Sequence, residues 1–326
     1  MSRREAYLRV AAVKKIIIDT DPGIDDAVAI MFAFGSGRLD IKAITTVSGN
    51  LPADRCSCNA RKILELLEAP HIPVARGTQS PLVRPYPKDP FFHGDDGLAD
   101  LTLPDTKLPE DPRFAPDLII DTVNSYPGDI SILGIGPLTN LALAVMKDPE
   151  LPRKVSELII VGGMYGLNDV GIRRATGDNP VSEWNIYVDP EAARIVFNAG
   201  FNLTAIGLDV AAGDSIALSE SSRAALASSS AKAAGFLKGV LDFVERRGFL
   251  PYCGLIDSLA VAAVIDPTIL TTEAVHVGIE TRGELTLGQT VADRREHFRW
   301  TQLPKVNVAK AIDSGRFLEL LLNALI

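Results

Sequence analysis

Short apolar runs rich in β-branched residues alternate with longer segments of helical periodicity over the first two-thirds of the chain. The predicted strands are Lys15–Asp19, Ile41–Val47, Pro73–Ala75, Ile130–Leu133, Leu158–Val161 and Leu203–Ile206. The helical segments between them are Ala27–Phe34, Asp54–Leu67, Ala115–Ser125, Leu138–Lys147 and Pro190–Asn198. This alternation predicts an α/β fold with an open, mostly parallel, Rossmann-like sheet flanked by helices.

The pattern changes after Gly213, where helical periodicity dominates. The expected elements are helices at Glu220–Ser230 and Ala234–Arg247, a small C-terminal hairpin within Val275–Thr290, and a final amphipathic helix from Ala309 to Leu322. No internal repeat or convincing linker divides the chain. We therefore expect one domain over residues 15–326, preceded by an N-terminal extension at residues 1–14.

Two long segments rich in Gly, Pro and Asp, at Leu82–Pro112 and Gly162–Ser182, interrupt this rhythm. Long irregular segments within a compact domain are commonly functional lids. Both follow predicted strands, so both are expected to form flaps at the carboxyl edge of the sheet.

Four aspartates, Asp19, Asp21, Asp25 and Asp26, lie within eight residues directly after the first predicted strand. Ligands bind at the carboxyl ends of strands in open α/β sheets. Carboxylates this close raise one another's pKa unless a positive charge intervenes. A helix amino terminus supplies only about half a unit charge, and an all-oxygen donor set favours Ca²⁺ or Mg²⁺ over Zn²⁺. The alternative is that one aspartate caps a helix and the others are solvated.

Further polar residues follow later strands, and each has a structural alternative. Asn50 is either a ligand-binding amide or a turn residue, and Asp257 is either a functional carboxylate or a helix N-cap. Glu183 and Asn185 are either site residues or part of a surface loop. These alternatives stay open on residue patterns alone.

Composition excludes several classes of partner. The chain has 326 residues, 47% of them apolar, and a formal net charge of −8. That charge argues against nucleic acid and anionic membranes as partners. No apolar stretch approaches the roughly 20 residues of a membrane span. The three cysteines, Cys56, Cys58 and Cys253, lack zinc-site spacing, so we expect reduced thiols and a cytoplasmic protein.

Taken in order, these motifs resemble those of the nucleoside hydrolases, which are calcium-dependent N-ribohydrolases of the inosine–uridine type. The agreement extends from about Lys15 to Ala292. Its motifs are Asp19-Thr20-Asp21-Pro22-Gly23-x-Asp25-Asp26-Ala27, Thr45-Thr46-x-x-Gly49-Asn50, Gly136-x-Leu138-Thr139-Asn140, Gly162-Gly163, Glu183-x-Asn185, Asp189-Pro190-Glu191-Ala192-Ala193 and Leu285-Thr286-Leu287-Gly288-x-Thr290-Val291-Ala292-Asp293. The resemblance implies hydrolysis of ribonucleosides to free base and ribose.

The resemblance also implies a role for each matching residue. The implied Ca²⁺ ligands are Asp21, Asp26, the Ile135 carbonyl and Asp257, and the implied ribose-binding residues are Asp25, Asn50, Glu183 and Asn185. Asp21 would also be the general base for a water bound to the ion, and attack would invert the anomeric centre through an oxocarbenium-like transition state. Asp19 would support these groups from outside the ring of ligands. A small nucleoside substrate and a homodimer or homotetramer are implied likewise.

The groups expected around the leaving base depart from the family pattern. Several members have a His directly before the last Ca²⁺-binding Asp, where this chain has Ile256. Other members stack the base between aromatic rings, for which the candidates are Trp184, Tyr165, Phe91, Phe92 and Tyr252. His93 is expected to approach the base from the first flap, and Asn179 to reach the 5′-hydroxyl from the second. Compared with the family pattern, residues 171–174 of the second flap are interpreted as additional loop. The choice of nucleobase stays open.

Two alternatives are carried forward. A haloacid dehalogenase-type phosphatase also opens with strand-Asp-x-Asp, but its motif wants Thr or Val where this chain has Gly23. The other is a calcium-dependent nucleoside-binding protein without catalysis. The presence of all expected metal and ribose groups argues against it, and the missing His before Asp257 keeps it open.

Overall fold

The computed structural model describes residues 13–87 and 92–326, so most of the predicted N-terminal extension and Phe91 lie outside it. Nine strands form one sheet in the order β3-β2-β1-β4-β5-β6-β9-β7-β8. The strands are β1 Lys14–Thr20, β2 Leu39–Thr46, β3 Val74–Arg76, β4 Ser131–Gly134, β5 Glu157–Val161, β6 Leu203–Ile206, β7 Leu270–Ile279, β8 Thr290–Asp293 and β9 Lys305–Ile312.

Thirteen α-helices within the described residues connect and cover these strands. They are α1 Ile24–Gly35, α2 Ala53–Leu66, α3 Ala115–Ser125, α4 Thr139–Lys147, α5 Leu151–Lys154, α6 Asp169–Ile172, α7 Trp184–Val188, α8 Pro190–Asn198, α9 Leu208–Ala211, α10 Glu220–Ser228, α11 Lys232–Arg246, α12 Ser258–Ile265 and α13 Ser314–Leu325. The predicted open, mostly parallel α/β sheet is confirmed. None of the described helices is long and apolar enough to cross a membrane.

The sheet separates two apolar cores. Successive side chains of a strand point to opposite faces, so Ile16 and Ile18 of β1 enter one core and Ile17 enters the other. Helices α1 and α12 pack against each other in the first core. Every residue of α12 is buried, as expected for a helix that is apolar on all sides. Both helices are therefore held rigidly where they begin, at the carboxyl edge of the sheet.

The last part of the sequence prediction is wrong in one respect. The final helix begins at Ser314, and the residues before it form β9. Val306 and Val308 alternate with more exposed neighbours and are buried, which is the period of a strand. β9 pairs in parallel with β6 and antiparallel with β7. The predicted C-terminal hairpin, β7 with β8, is thus an extension of the main sheet.

The strand order reverses between β1 and β4, which lie side by side and parallel. β2 and β3 extend the sheet on one side of this pair, and β5 and β6 extend it on the other. Such a switch point opens a crevice at the carboxyl ends of the strands, where open α/β proteins bind ligands. The aspartates that follow β1 enter this crevice.

A proline substitution can distinguish the observed strand β9 from the helix that the sequence predicts to begin at Ala309. We expect Val308→Pro to prevent folding, because it removes a backbone donor from a strand paired on both sides. The control is Ser314→Pro at the first helical position of α13, where proline is favoured. Circular dichroism and soluble yield provide the measurements. A well-folded Val308→Pro variant would contradict the assignment of β9.

Candidate active site

Asp26 lies in the first turn of α1 and is fixed by four hydrogen bonds. The Thr20 hydroxyl and the Asp21 N–H donate to Oδ1, the latter over 3.2 Å. The Gly23 N–H and the Asn50 amide donate to Oδ2 over 3.0 and 3.1 Å. Asn50 is therefore part of the site, and its side chain ties the end of β2 to the end of β1.

Asp21 is fully buried beside two glycines. Its Oδ2 accepts the Asn50 N–H over 2.6 Å, whereas Oδ1 accepts no hydrogen bond from any described residue. A Cβ at Gly49 would lie 2.0 Å from Oδ2, and one at Gly136 would lie 2.7 Å from Oδ1. Both glycines are needed at these positions because any side chain would displace the carboxylate.

A third segment completes the acidic cluster. One carboxylate oxygen from each of Asp25, Asp26 and Asp257 lies within 4.8 Å of the others, and all three residues are buried. Asp257 directly precedes α12, yet its side chain makes no capping hydrogen bond to that helix. Asp257 thus occupies the N-cap position of α12 without capping it through its side chain, and its carboxylate belongs to the cluster.

The electrostatics of the cluster require a positive charge. Burial raises the pKa of Asp21 well above its usual value, and the nearby Asp26 carboxylate raises it further. Burial likewise raises the pKa of Asp257, followed by the charges of Asp25, Asp26 and Asp21. Buried carboxylates with an unsatisfied oxygen and only oxygen donors around them fit a hard divalent cation. The residues present are thus suited to a metal ion, as the sequence indicates.

Asp19 lies on the other side of this cluster, within β1. Its Oδ1 accepts hydrogen bonds from the Thr45 hydroxyl over 2.7 Å and from the Asn140 amide over 2.8 Å. Its Oδ2 accepts none from the described residues. Burial raises the pKa of Asp19 to about 7, although the two hydrogen bonds oppose this shift. Asp19 therefore links β1, β2 and α4 beneath the site.

The far wall of the crevice comes from β4, β5 and α7. Glu183 caps α7 and accepts N–H groups from Gly163, Asn185 and Ile186 over 2.8 to 3.1 Å. The Asn185 amide donates to the carbonyls of Ile135 and Val161 over 2.9 and 3.0 Å. Two carbonyl acceptors fix the orientation of that amide, so its oxygen is the group that can accept from a ligand.

Burial also shifts the pKa values of Glu183 and His93, at the edges of the crevice. Burial raises the pKa of Glu183 to about 7 despite its three N–H donors. Burial lowers the pKa of His93 to about 3, so this ring is neutral at physiological pH. Its Nδ1 accepts the Ile24 N–H over 3.1 Å, which places the ring hydrogen on Nε2. The 3.8 Å approach of Nδ1 to Asp25 is accordingly not an ion pair.

These groups border a cavity of about 560 Å³, within the size range of small-molecule sites. The predicted site residues that line it are Asp25, Asn50, His93, Ile135, Glu183, Trp184, Asn185 and Asp257, together with the aromatic candidates Phe92 and Tyr252. Asp19, Asp21 and Asp26 lie behind this surface. The structure thus brings together nearly all of the residues that the sequence singled out.

Two candidates are not brought to the cavity. The Asn179 amide donates to the Leu287 carbonyl over 2.8 Å, and its oxygen accepts the Val181 N–H. Asn179 therefore fastens the second flap to the β7–β8 hairpin and does not reach towards a 5′-hydroxyl. Tyr165 is buried with its hydroxyl on the Gly162 carbonyl, away from the cavity lining. Phe91 lies outside the described residues.

Among the cavity residues that sequence reasoning missed are Arg173, Arg174 and Phe249. The arginines belong to the stretch interpreted as additional loop, part of which forms the short helix α6. Phe249 stands between α11 and α12 with its ring packed edge-on against Phe92. The only sequence signal was a pair of adjacent arginines in a segment rich in Gly and Asn, which does not reveal a position in space.

Comparisons with known proteins cover nearly the whole chain. Residues 16–319 match the family model described as inosine-uridine preferring nucleoside hydrolase. The inosine-uridine preferring nucleoside hydrolase of Leishmania major is 38% identical over 320 residues, covering 96% of this chain and 97% of the relative. The pyrimidine-specific ribonucleoside hydrolase RihA of Salmonella schwarzengrund (strain CVM19633) is 35% identical, covering 95% and 97%. The solved purine-preferring ribonucleoside hydrolase from Gardnerella vaginalis superposes with a TM-score of 0.84 at 32% identity, covering 96% and 98%.

The raised pKa of Asp19 predicts how stability depends on pH in the metal-free protein. Between about pH 4 and pH 7 the folded protein holds a proton on Asp19 that the unfolded chain has lost, so stability falls as the pH rises through this window. Asp19→Asn retains both hydrogen bonds to Oδ1 and lacks this titration. We expect it to gain on the order of 2 kcal/mol in free energy of unfolding, relative to wild type, between pH 5 and pH 8.

Urea unfolding at the two pH values measures this difference, and comparison with wild type cancels the contributions of other groups. Asp54→Asn, at an exposed position on α2, is the matched control and should show no such change. An equal effect of pH on wild type and Asp19→Asn would refute the raised pKa of Asp19.

Proposed function

The chain belongs to the inosine-uridine preferring nucleoside hydrolase family, enzymes that cleave the N-glycosidic bond of ribonucleosides, and we propose that it does so with a Ca²⁺ ion held by its buried carboxylates. The observation that carries the calcium proposal is the convergence of Asp26 and Asp257, from distant parts of the chain, in a cluster within 4.8 Å that also contains the proposed ribose-binding residue Asp25. The unsatisfied Oδ1 of Asp21 supports it. Asp21, Asp26, Asp257 and the Ile135 carbonyl are the proposed ligands.

The ribose would lie between the two walls of the crevice. Asp25 and Glu183 can accept hydrogen bonds from its hydroxyls, and both line the cavity. Asn185 presents an oxygen there because its amide hydrogens are held by two carbonyls. Neutral His93, with its ring hydrogen on Nε2, is a donor in the first flap. When bound, Ca²⁺ would hold the sugar diol and acidify the attacking water.

Asp21 is the proposed general base. Asn50 fixes one of its oxygens, and the other is buried and unsatisfied, so a single atom is directed to accept a proton. Water attacks the anomeric carbon, its proton passes to Asp21, and the bond to the base breaks. Direct displacement inverts the anomeric centre, and the carboxylates around the sugar favour the positive charge that develops on it.

The comparisons argue against both alternatives that the sequence left open. The haloacid dehalogenase hypothesis is wrong because the chain matches a different family over residues 16–319. A protein that only binds nucleosides is disfavoured because the similar proteins are hydrolases over the full length of this chain. Base preference differs among those relatives, one pyrimidine-specific and another purine-preferring, so the family alone does not assign it.

Substitution of Asp21 tests the general base. We expect Asp21→Asn to lower kcat for inosine and uridine by about 10²–10⁴-fold at saturating Ca²⁺, because the water loses its proton acceptor. Release of reducing sugar measures the rate. The melting temperature of the metal-free protein should not fall, since the substitution removes a buried charge. Asp54→Asn on the exposed surface is the control, and near-normal kcat in Asp21→Asn would remove Asp21 from this role.

Metal removal tests the cofactor. Exhaustive chelation should abolish activity, and added Ca²⁺ should restore it, whereas Zn²⁺ should restore little because the site offers only oxygen ligands. Elemental analysis of the reconstituted protein should find one Ca²⁺ per chain. Full turnover by protein shown to be free of metal would refute a calcium-dependent mechanism.

A further inference from the structure

The cavity has a second wall that the ribose and the metal do not use. It is formed by the segment between β5 and α7, by α9, and by the turn between α11 and α12. Apolar side chains from α9 and Ile256 line it, together with Phe92, Phe249 and Tyr252. A nucleoside that places its diol against Asp25 and Glu183 must place its base against this wall. Ile256 cannot donate a proton there, so the family's His route is closed in this chain.

Arg174 is the anchored cation of this wall. Its guanidinium lies 4.6 Å above the centre of the Tyr252 ring. It donates to the Ala212 carbonyl, and it pairs with Asp214 over 3.0 Å. The planar guanidinium is thus held by three contacts, with a main-chain carbonyl, a carboxylate and an aromatic ring. Arg173, the neighbouring lining residue, is largely exposed.

Arg174 lines the cavity, and its ion-pair partner Asp214 is the more exposed of the two side chains. The side chain of Asp214 is 75% exposed against 23% for Arg174, so water screens the carboxylate more than the guanidinium. The adjoining surface comes from buried Leu208 and Ala211. A cation beside an apolar wall interacts more strongly with a charge that develops there than it would in water.

Resting on the proposed function, we infer that Arg174, oriented by Tyr252, stabilises the departing nucleobase as it takes the electron pair of the N-glycosidic bond. Water adds to the anomeric carbon, its proton goes to Asp21, and the bonding pair stays on the base nitrogen. The base leaves with anionic character and acquires its proton from solvent. Arg174 keeps its own proton throughout, because a guanidinium does not deprotonate in proteins.

The test separates leaving-group stabilisation from all other roles. Inosine and uridine have poor leaving groups, whereas p-nitrophenyl β-riboside releases a stable phenolate that needs little help. We expect Arg174→Met to lower kcat for both nucleosides by about 10²–10³-fold and to leave kcat for the aryl riboside nearly unchanged. Arg174→Lys, which keeps the charge without the planar fork, should recover part of the loss.

Arg295→Met is the matched control. Arg295 also pairs with a carboxylate, Asp293 over 2.7 Å, and lies 5.3 Å from the Trp300 ring, but it belongs to the β8 edge of the sheet. It should leave the ratio of nucleoside to aryl-riboside turnover unchanged. Activity of Arg174→Met on the aryl riboside also shows that this variant folds.

Two results would overturn the inference while leaving the proposed function intact. An equal loss of kcat on the nucleosides and on the aryl riboside would indicate that Arg174 acts in folding or ribose binding. No loss of kcat on either would show that Arg174 has no role in the reaction. A wild-type protein that hydrolyses none of the three ribosides would instead refute the proposed function itself.

Discussion

The burial of mutually repelling carboxylates is the constraint on which the rest of this structure depends. Asp19, Asp21 and Asp26 are fully shielded from solvent, and Asp25 and Asp257 nearly so. Ionised together without compensation, such groups would destabilise the fold by far more than their few hydrogen bonds recover. The fold keeps them because two helices, α1 and α12, begin at the cluster, each directing its positive end towards it. The proposed divalent cation would supply the remaining positive charge.

The topology explains why these residues can meet although they are distant in sequence. β1 and β4 are neighbours at the switch point, so the turn after β1 and the loop after β4 share one crevice. Gly49 and Gly136 leave room for the Asp21 carboxylate because they carry no side chain. Asp257 arrives from the other direction, on a helix buried on all sides in the core. Rigid elements therefore position each charged group, and residues of the flaps complete the cavity lining.

The sequence predicted the parallel sheet and the acidic cluster because both leave local signals. Buried strands appear as short apolar runs, and Asp19 to Asp26 follow one of them directly. β9 was mistaken for part of a helix because Ala309 to Ile312 also fit the apolar spacing of the helix that follows. Asn179 and Arg174 lie in irregular segments, where no periodicity relates sequence to position. Their partners, Leu287 and Tyr252, are distant along the chain, so only the fold could reveal them.

The position of β9 has a consequence for biosynthesis. The strands from β1 to β6 are complete when residue 206 has left the ribosome, and the carboxylate of Asp257 follows about fifty residues later. The β7–β8 hairpin then has no neighbour to pair with until residues 305–312 emerge, because β9 lies between it and β6. Until β9 forms, the sides of β6 and β7 that it covers have no partner strand among the described residues. Edges of that kind recruit other strands, so the pairing of residues 305–312 with β6 and β7 closes two edges at once.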